Sequence, residues 1–303
     1  MPTDGHEASF PQVHTLLFWI LSIISIIKNL EKIKSLPPHK QKIDFLYKIC
    51  YNNYKKIKDF ENEQEVVMVY IMGDTHGDNS YIYNIQHKKN LTKNDYIIIC
   101  GDFGFVWNGD YKRQLYKLHK CTEATILFVD GNHESFDLLE KFPVVEWHGG
   151  KASQLTERIF WLRRGEIYTI EGHTYFCFGG ARSVDKDWRT PGKSWWPQEE
   201  PTIQEMIHGM EVINENLDKI EYVITHDCPS YVVKMIDSYK CSLPIENGYK
   251  LRLYFDNYFE KLFYESKSFK HWYCGHHHIN KDLDDLKFSF LYHKFKKIEE
   301  ERE

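Results

Sequence analysis

The chain has 303 residues, 42% of them hydrophobic and 16% aromatic, which is enough to bury one large core or two small ones and excludes a wholly disordered chain. A net charge of −5 supplies no overall basic footprint, so a dedicated DNA- or RNA-binding protein is not expected, although a local basic patch stays open. Seven cysteines, at 50, 100, 121, 177, 228, 241 and 274, form no CxxC pair, and this odd, dispersed set predicts reduced thiols and a cytoplasmic protein.

Residues 1–65 differ in character from the rest of the chain. Residues 1–12 are polar, with two prolines, and are predicted to be disordered, whereas 16–27 form a nearly unbroken apolar run. That run is marginal for a transmembrane helix, which needs about 20 apolar residues. Asp4 and Glu7, and the lack of a small-residue cleavage site, speak against a signal peptide. Ser22, Ser25 and Lys28 recur at helical spacing, which predicts a helix docked on protein and keeps membrane contact through residues 16–30 open. Pro37 and Pro38 end it. Residues 40–60 then read as a second, lysine-rich amphipathic helix and 61–65 as an acidic linker.

From residue 66 onward, strand and helix patterns alternate. Strands are predicted at 66–72, 96–100 and 125–129, followed by helices at 81–89, 111–121 and 134–142. This order predicts parallel strands joined by right-handed crossovers. From 159 the pattern changes to short strands in WLRRGEIYTI and HTYFCFGG, which predicts a second, more antiparallel sheet. A loop rich in Trp, Arg and Pro interrupts it at 182–201; then come a helix at 203–217, a strand at 222–225, a helix at 251–263, a strand at 271–274 and a last strand at 288–293. The predicted domain spans 66–295, with an extension at 1–65 and a charged tail at 296–303. Met68 is also a candidate functional start.

Five of these apolar runs end in a candidate ligand. Asp74 and His76 follow the first in GDTHGD, Asp102 follows YIIIC in CGDFG, and Asn132 and His133 follow TILFV in DGNHE. His226 follows YVIT, and His276 and His278 follow HWYC in GHHH. Loops at the carboxyl ends of strands in an open α/β sheet gather in one crevice. Carboxylates, imidazoles and an amide gathered there predict a two-metal site. The glycines at 73, 101, 131 and 275 are expected to let the chain turn sharply off each strand.

The five motifs in this order resemble the signature of the calcineurin-like metallophosphoesterases, over about residues 66–293. The resemblance implies an α/β sandwich of two mixed sheets flanked by helices. It also implies a hydrolase that cleaves a phosphomonoester or phosphodiester by attack of a hydroxide bridging two divalent metals. Asp74, His76 and His278 would hold one metal, Asn132, His226 and His276 the other, with Asp102 between them; His133 would assist the leaving oxygen. Manganese is the expected metal, with iron, zinc and nickel open.

The departures bear on substrate. Classical protein serine/threonine phosphatases of the superfamily carry an acid three residues beyond the bridging Asp, an arginine after it, and another arginine before GNHE. Here those positions hold Phe105, Val106 and Asp130. The stretch 179–201 is a candidate substitute, resembling a cassette of bacterial and phage members. Arg182 and Arg189 could clamp phosphate, and Trp195 and Trp196 could stack a base; alternatively the tryptophans pack the loop and Arg182 pairs with Asp185 or Asp187. His277, Asp78 and Asp227 are placed around the ligands or in turns, and Cys228 is read as a packing residue. The rival functions are an inactive scaffold of the same fold, disfavoured because every ligand position is filled, and a nuclease, disfavoured by the acidic balance.

Overall fold

Short apolar runs, buried on both faces, are the strands at the centre of the molecule. The computed structural model describes residues 67–236 and 250–298, together with Tyr51. The chain divides into two units, Met1–Val66 and Val67–Glu303, and all elements below belong to the second. The helices expected within 1–65, membrane contact through 16–30, Cys50 and Cys241 lie outside the described residues. Among the described residues no helix is long and apolar enough to cross a membrane.

In the first sheet β1 (Val69–Met72), β2 (Tyr96–Ile99), β3 (Thr125–Phe128) and β6 (Ile159–Leu162) pair in parallel. β4 (Val144–Trp147) and β5 (Gly150–Thr156) extend one edge antiparallel, and β13 (Phe295–Lys297) pairs antiparallel with β1 at the other. In the second sheet β8 (His173–Phe178), β9 (Tyr222–Thr225), β10 (His271–Cys274) and β12 (Phe288–Phe290) are parallel neighbours. It is flanked antiparallel by β7 (Glu166–Ile170) and β11 (Lys281–Leu283).

The period of two along each strand sorts side chains into three layers of core. Val69, Ile71, Ile98 and Leu127 face Tyr168, Tyr175, Tyr222 and Tyr273 between the sheets. The alternate residues Tyr70, Met72, Ile97 and Ile99 face α1 (Ser80–Lys89), α2 (Tyr111–Cys121) and α3 (Phe136–Leu139) through Ile82, Leu115, Leu118 and Leu139. On the far side Phe176, Phe178, Val223 and Trp272 meet α4 (Ile203–Glu215), α5 (Ser230–Val233) and α6 (Lys250–Glu265). The result is the predicted sandwich of two mixed sheets between helices. Helix α4 begins with a capping box in which Thr202 and Glu205 bond each other's backbone N–H.

Four details differ from the expectation. Among the described residues the second sheet is not the more antiparallel of the two: three of its five strand pairings are parallel, against three of six in the first. The β4–β5 hairpin was not predicted, because GKASQLT carries little strand propensity and is held by its partners. WLRRGEIYTI is divided between the two sheets, β6 in one and β7 in the other. β13 runs into the predicted charged tail, and Ile298 beyond it is buried; its lysines suit an edge strand.

Asp130, at the end of β3, is fully buried and accepts hydrogen bonds from the Trp161 indole N–H at 3.0 Å and from the Arg164 guanidinium, whose Nε lies at 3.0 Å. Arg164 also reaches Glu205 and the Gln198 carbonyl. Replacing Arg164 by leucine leaves a buried carboxylate without its cation. We expect a loss of about 3–5 kcal/mol, read as a shift of the denaturant midpoint. A loss under about 1 kcal/mol would show that Asp130 is served well enough by Trp161 alone.

Candidate metal centre

The loops leaving β1, β2, β3, β9 and β10 bring the predicted ligands of both sheets together. The β1 and β2 loops are joined by His76 N–H to the Asp102 carbonyl at 2.8 Å and by the Thr75 hydroxyl to the Phe103 carbonyl at 2.9 Å. The His276 N–H donates to the Asp74 carboxylate at 3.0 Å, tying the β10 loop to the first. His76, Asp102, His276 and His278 all have positive φ, between 47° and 64°. For residues with a Cβ this backbone is strained by on the order of 1–3 kcal/mol each, and such strain concentrates at functional sites.

Asp74, His76, Asp102 and His278 each place a ligand atom within 4.8 Å of the others. His278 Nε2 lies 3.1 Å from Asp74 Oδ2 and 3.0 Å from His76 Nε2, and His76 Nε2 lies 3.7 Å from Asp102 Oδ2. The other oxygen of Asp102 faces a second group. His226 Nε2 is 3.3 Å from Asp102 Oδ1 and 3.1 Å from Asn132 Oδ1, and the His276 ring centroid is 4.9 Å from that of His226.

The donors fit a cation. His226 Nδ1 sits 2.7 Å from the Cys100 carbonyl, which can only accept, so Nδ1 carries the proton. In its neutral form His226 would turn the lone pair of Nε2 toward the side of the Asp102 carboxylate and the Asn132 amide oxygen, so all three could serve one cation. Burial would lower the His226 imidazole, but Asp102 and then Asp74 outweigh it and push it up to about 10. Burial likewise opposes ionisation of Asp102, yet His226, with His133 and His76, holds its carboxyl below the usual range. The cluster thus favours positive charge, and its carboxylate oxygens and imidazole nitrogens are donors that could hold a metal ion. Of the four glycines expected to turn the chain, Gly101 has a positive φ of 89°, whereas Gly131 and Gly275 serve close packing instead. A Cβ on Gly131 would stand 2.1 Å from Asp102 Oδ1, and one on Gly275 2.1 Å from Asp74 Oδ1; neither residue has a positive φ.

Some of the residues that support these donors were not anticipated, namely Glu134, Ser183 and Glu199. Glu134, fully buried, accepts the Phe103 N–H at 2.6 Å and so anchors the loop that carries Asp102. Asn132 donates through Nδ2 to the Ser183 hydroxyl at 3.1 Å, and Ser183 donates to Glu199 at 2.9 Å. The amide is thereby turned so that its oxygen faces His226. Burial pushes the Glu199 carboxyl up to about 7, while hydrogen bonds from Ser183 and Trp195 oppose the rise. Ser183→Ala is expected to weaken metal binding tenfold or more without unfolding the protein, since ligand-orienting partners carry effects of about 10–100-fold. A metal titration superimposable on the wild type would show that Asn132 needs no such partner.

The remaining candidates separate. His133 donates its backbone N–H to Asp102 Oδ1 at 2.7 Å, and its ring lies edge-on to His76. Burial lowers the His133 imidazole, Asp102 pulls it back and Arg189 lowers it again, leaving it below the usual histidine range. Arg189 reaches the site by its two Nη atoms, 3.2 and 3.1 Å from the ring nitrogens of His133, with its Nε held by Asp185 at 2.8 Å. Trp196 is 4% exposed and packs edge-on against Trp107, so it offers no open face to a base. Trp195 donates its indole N–H to Glu199. Arg182 lines a separate cavity of about 260 Å³ with Asp227 and Met206. Asp78 closes a turn on the Ser80 N–H. His277 lies 3.3 Å from both Cys228 Sγ and Asp227 Oδ1, and Asp227 accepts from Arg252 at 2.7 Å. Cys100, Cys121, Cys177, Cys228 and Cys274 are free thiols.

Comparison with known proteins adds three findings. A family model described as calcineurin-like phosphoesterase matches residues 67–280. No match is found among curated proteins. Among solved structures, one similar chain is a provisionally named 5′-nucleotidase from Staphylococcus aureus in complex with alpha-ketoglutarate, 14% identical, with a TM-score of 0.44 over 76% of this chain. The match spans half the length of that protein.

Proposed function

The chain belongs to the calcineurin-like phosphoesterase family, and from its site we infer that it hydrolyses a phosphomonoester or phosphodiester with two divalent metal ions, manganese being the first candidate. The observation that carries this reading is the meeting of Asp74, His76, Asp102 and His278 within 4.8 Å. His226 Nε2 lies 3.3 Å from the Oδ1 of Asp102 and 3.1 Å from Asn132 Oδ1. Asp74, His76 and His278 would hold one ion and Asn132, His226 and His276 the other, with Asp102 serving both.

Divalent ions in this site would neutralise phosphate oxygens and lower the pKa of a water so that hydroxide is available near neutral pH. The chain's own groups then govern the departure of the alcohol. Hydroxide adds to phosphorus, the P–O bond to the alcohol breaks, and the departing oxygen meets the His133 imidazole as a hydrogen-bond and proton donor. Arg189, held against His133, brings a fixed positive charge to the same oxygens.

Metal-free protein should turn over neither bis(p-nitrophenyl) phosphate nor p-nitrophenyl phosphate. Manganese should start hydrolysis of at least one, with two ions bound per chain at saturation. Silence toward both esters with manganese bound would overturn the reading.

A further inference from the structure

Beside the metal ligands opens a cavity of about 330 Å³ lined by His76, Gly77, Gly104, Phe105, Trp107, Asn108, Gln114 and His133. Its volume lies at the low end of the range for small-molecule sites, about 300–1,000 Å³. No lysine, arginine, aspartate or glutamate lines it. The lining thus offers no charged side chain of its own to a group that enters, which favours an uncharged group over a polyphosphate, a sugar bisphosphate or the next phosphate of a nucleic-acid strand. The walls combine a half-buried indole with two amides. Trp107 stands edge-on to the buried Trp196, ring centroids 5.5 Å apart at 82°, which props its ring from the 179–201 loop. The half-buried side-chain amide of Gln114 has no hydrogen-bond partner among the described residues. Such an amide is poised to pair with a ligand edge that both donates and accepts.

We propose that this cavity receives the leaving group of the ester and that the leaving group is a single nucleoside, its base lying against Trp107 and its polar edge reaching Gln114 and Asn108. This rests on the phosphoesterase reading, because His133 both lines the cavity and meets the departing oxygen; whatever leaves from that oxygen occupies the space beyond it. A nucleoside is uncharged, carries a planar face that stacks on an indole, and presents donors and acceptors on its rim. Alkyl and simple sugar alcohols lack the face, and aryl alcohols lack the rim.

The test is calorimetric titration of the manganese-loaded full chain with adenosine, ribose and phenol, none of which can be hydrolysed there. Adenosine should bind at least about fivefold tighter than ribose, the scale of one stacked base, and tighter than phenol. Trp107→Leu should abolish the advantage over ribose, with Trp107→Phe keeping most of it. Gln114→Ala should weaken adenosine several-fold and leave phenol unmoved, which keeps the proposal testable should Trp107→Leu fail to fold. Equal binding of adenosine and ribose by the wild type would overturn the proposal, as would phenol binding as tightly as adenosine. Neither result depends on turnover, so ester hydrolysis decides the phosphoesterase reading and these titrations decide the subsite.

Discussion

Asp102→Asn should strip the centre of its metal, leaving less than one ion per chain and lowering ester turnover by about a thousandfold or more, the scale of several kcal/mol of lost charge stabilisation. The substitution is chosen to disturb charge and little else. Asn has the size of Asp, and it is among the few residues at ease at the positive φ of 47° that this position adopts. What it removes is the buried negative charge that faces both donor groups at once, with Oδ1 toward His226 and Oδ2 toward His76. An amide oxygen attracts a dication far less than a carboxylate does, so both ions should weaken together. Metal analysis and manganese titration give the readout, with thermal unfolding of the metal-free variant as the control for folding. A variant that still holds two ions and hydrolyses p-nitrophenyl esters within tenfold of the wild type would end the assignment of Asp102 as a shared ligand.

The elements that carry these ligands were legible because parallel strands buried on both faces read as unbroken apolar runs. VYIM, YIII, TILF, YVIT and HWYC each announce a strand whose next loop holds polar residues. The support around the ligands left no such trace. Asn132 and Ser183 are 51 residues apart, and His133 and Arg189 are 56 apart. No periodicity links them, and a loop's contacts depend on how it folds back over the sheets. Trp107 is silent in the sequence for a related reason: one aromatic in a loop carries no pattern, and only the placing of Trp196 against it shows why it is half exposed. The same ambiguity leaves Trp196 open to two readings, a stacking face or packing for the loop, and its neighbours make it core. At the sheet edges propensity misled. GKASQLT forms a strand because β4 and β6 hold it on both sides, and FKK does so on β1.

His133→Ala should leave the metal content unchanged and lower turnover by about 10²–10⁴-fold for an ester with a poor leaving group. Metal content is expected to hold because the link between residue 133 and Asp102 runs through the backbone N–H at 2.7 Å, which alanine retains. Arg189 also keeps anchors outside His133, at Asp185 and the Ser194 carbonyl. The size of the loss should depend on the alcohol. p-Nitrophenolate departs readily without a proton, whereas an alkoxide needs its charge met as the P–O bond breaks. The variant should therefore lose more on glycerol 3-phosphate, or on a nucleotide if the cavity beside Trp107 takes one, than on p-nitrophenyl phosphate. An equal fall on both classes would mean that His133 orients the phosphate and takes no part in the proton's delivery. A large loss of bound metal would instead make the ring, which lies edge-on to His76, a prop for the ligands. Measuring kcat for the two leaving groups and metal per chain on the same preparations separates these outcomes.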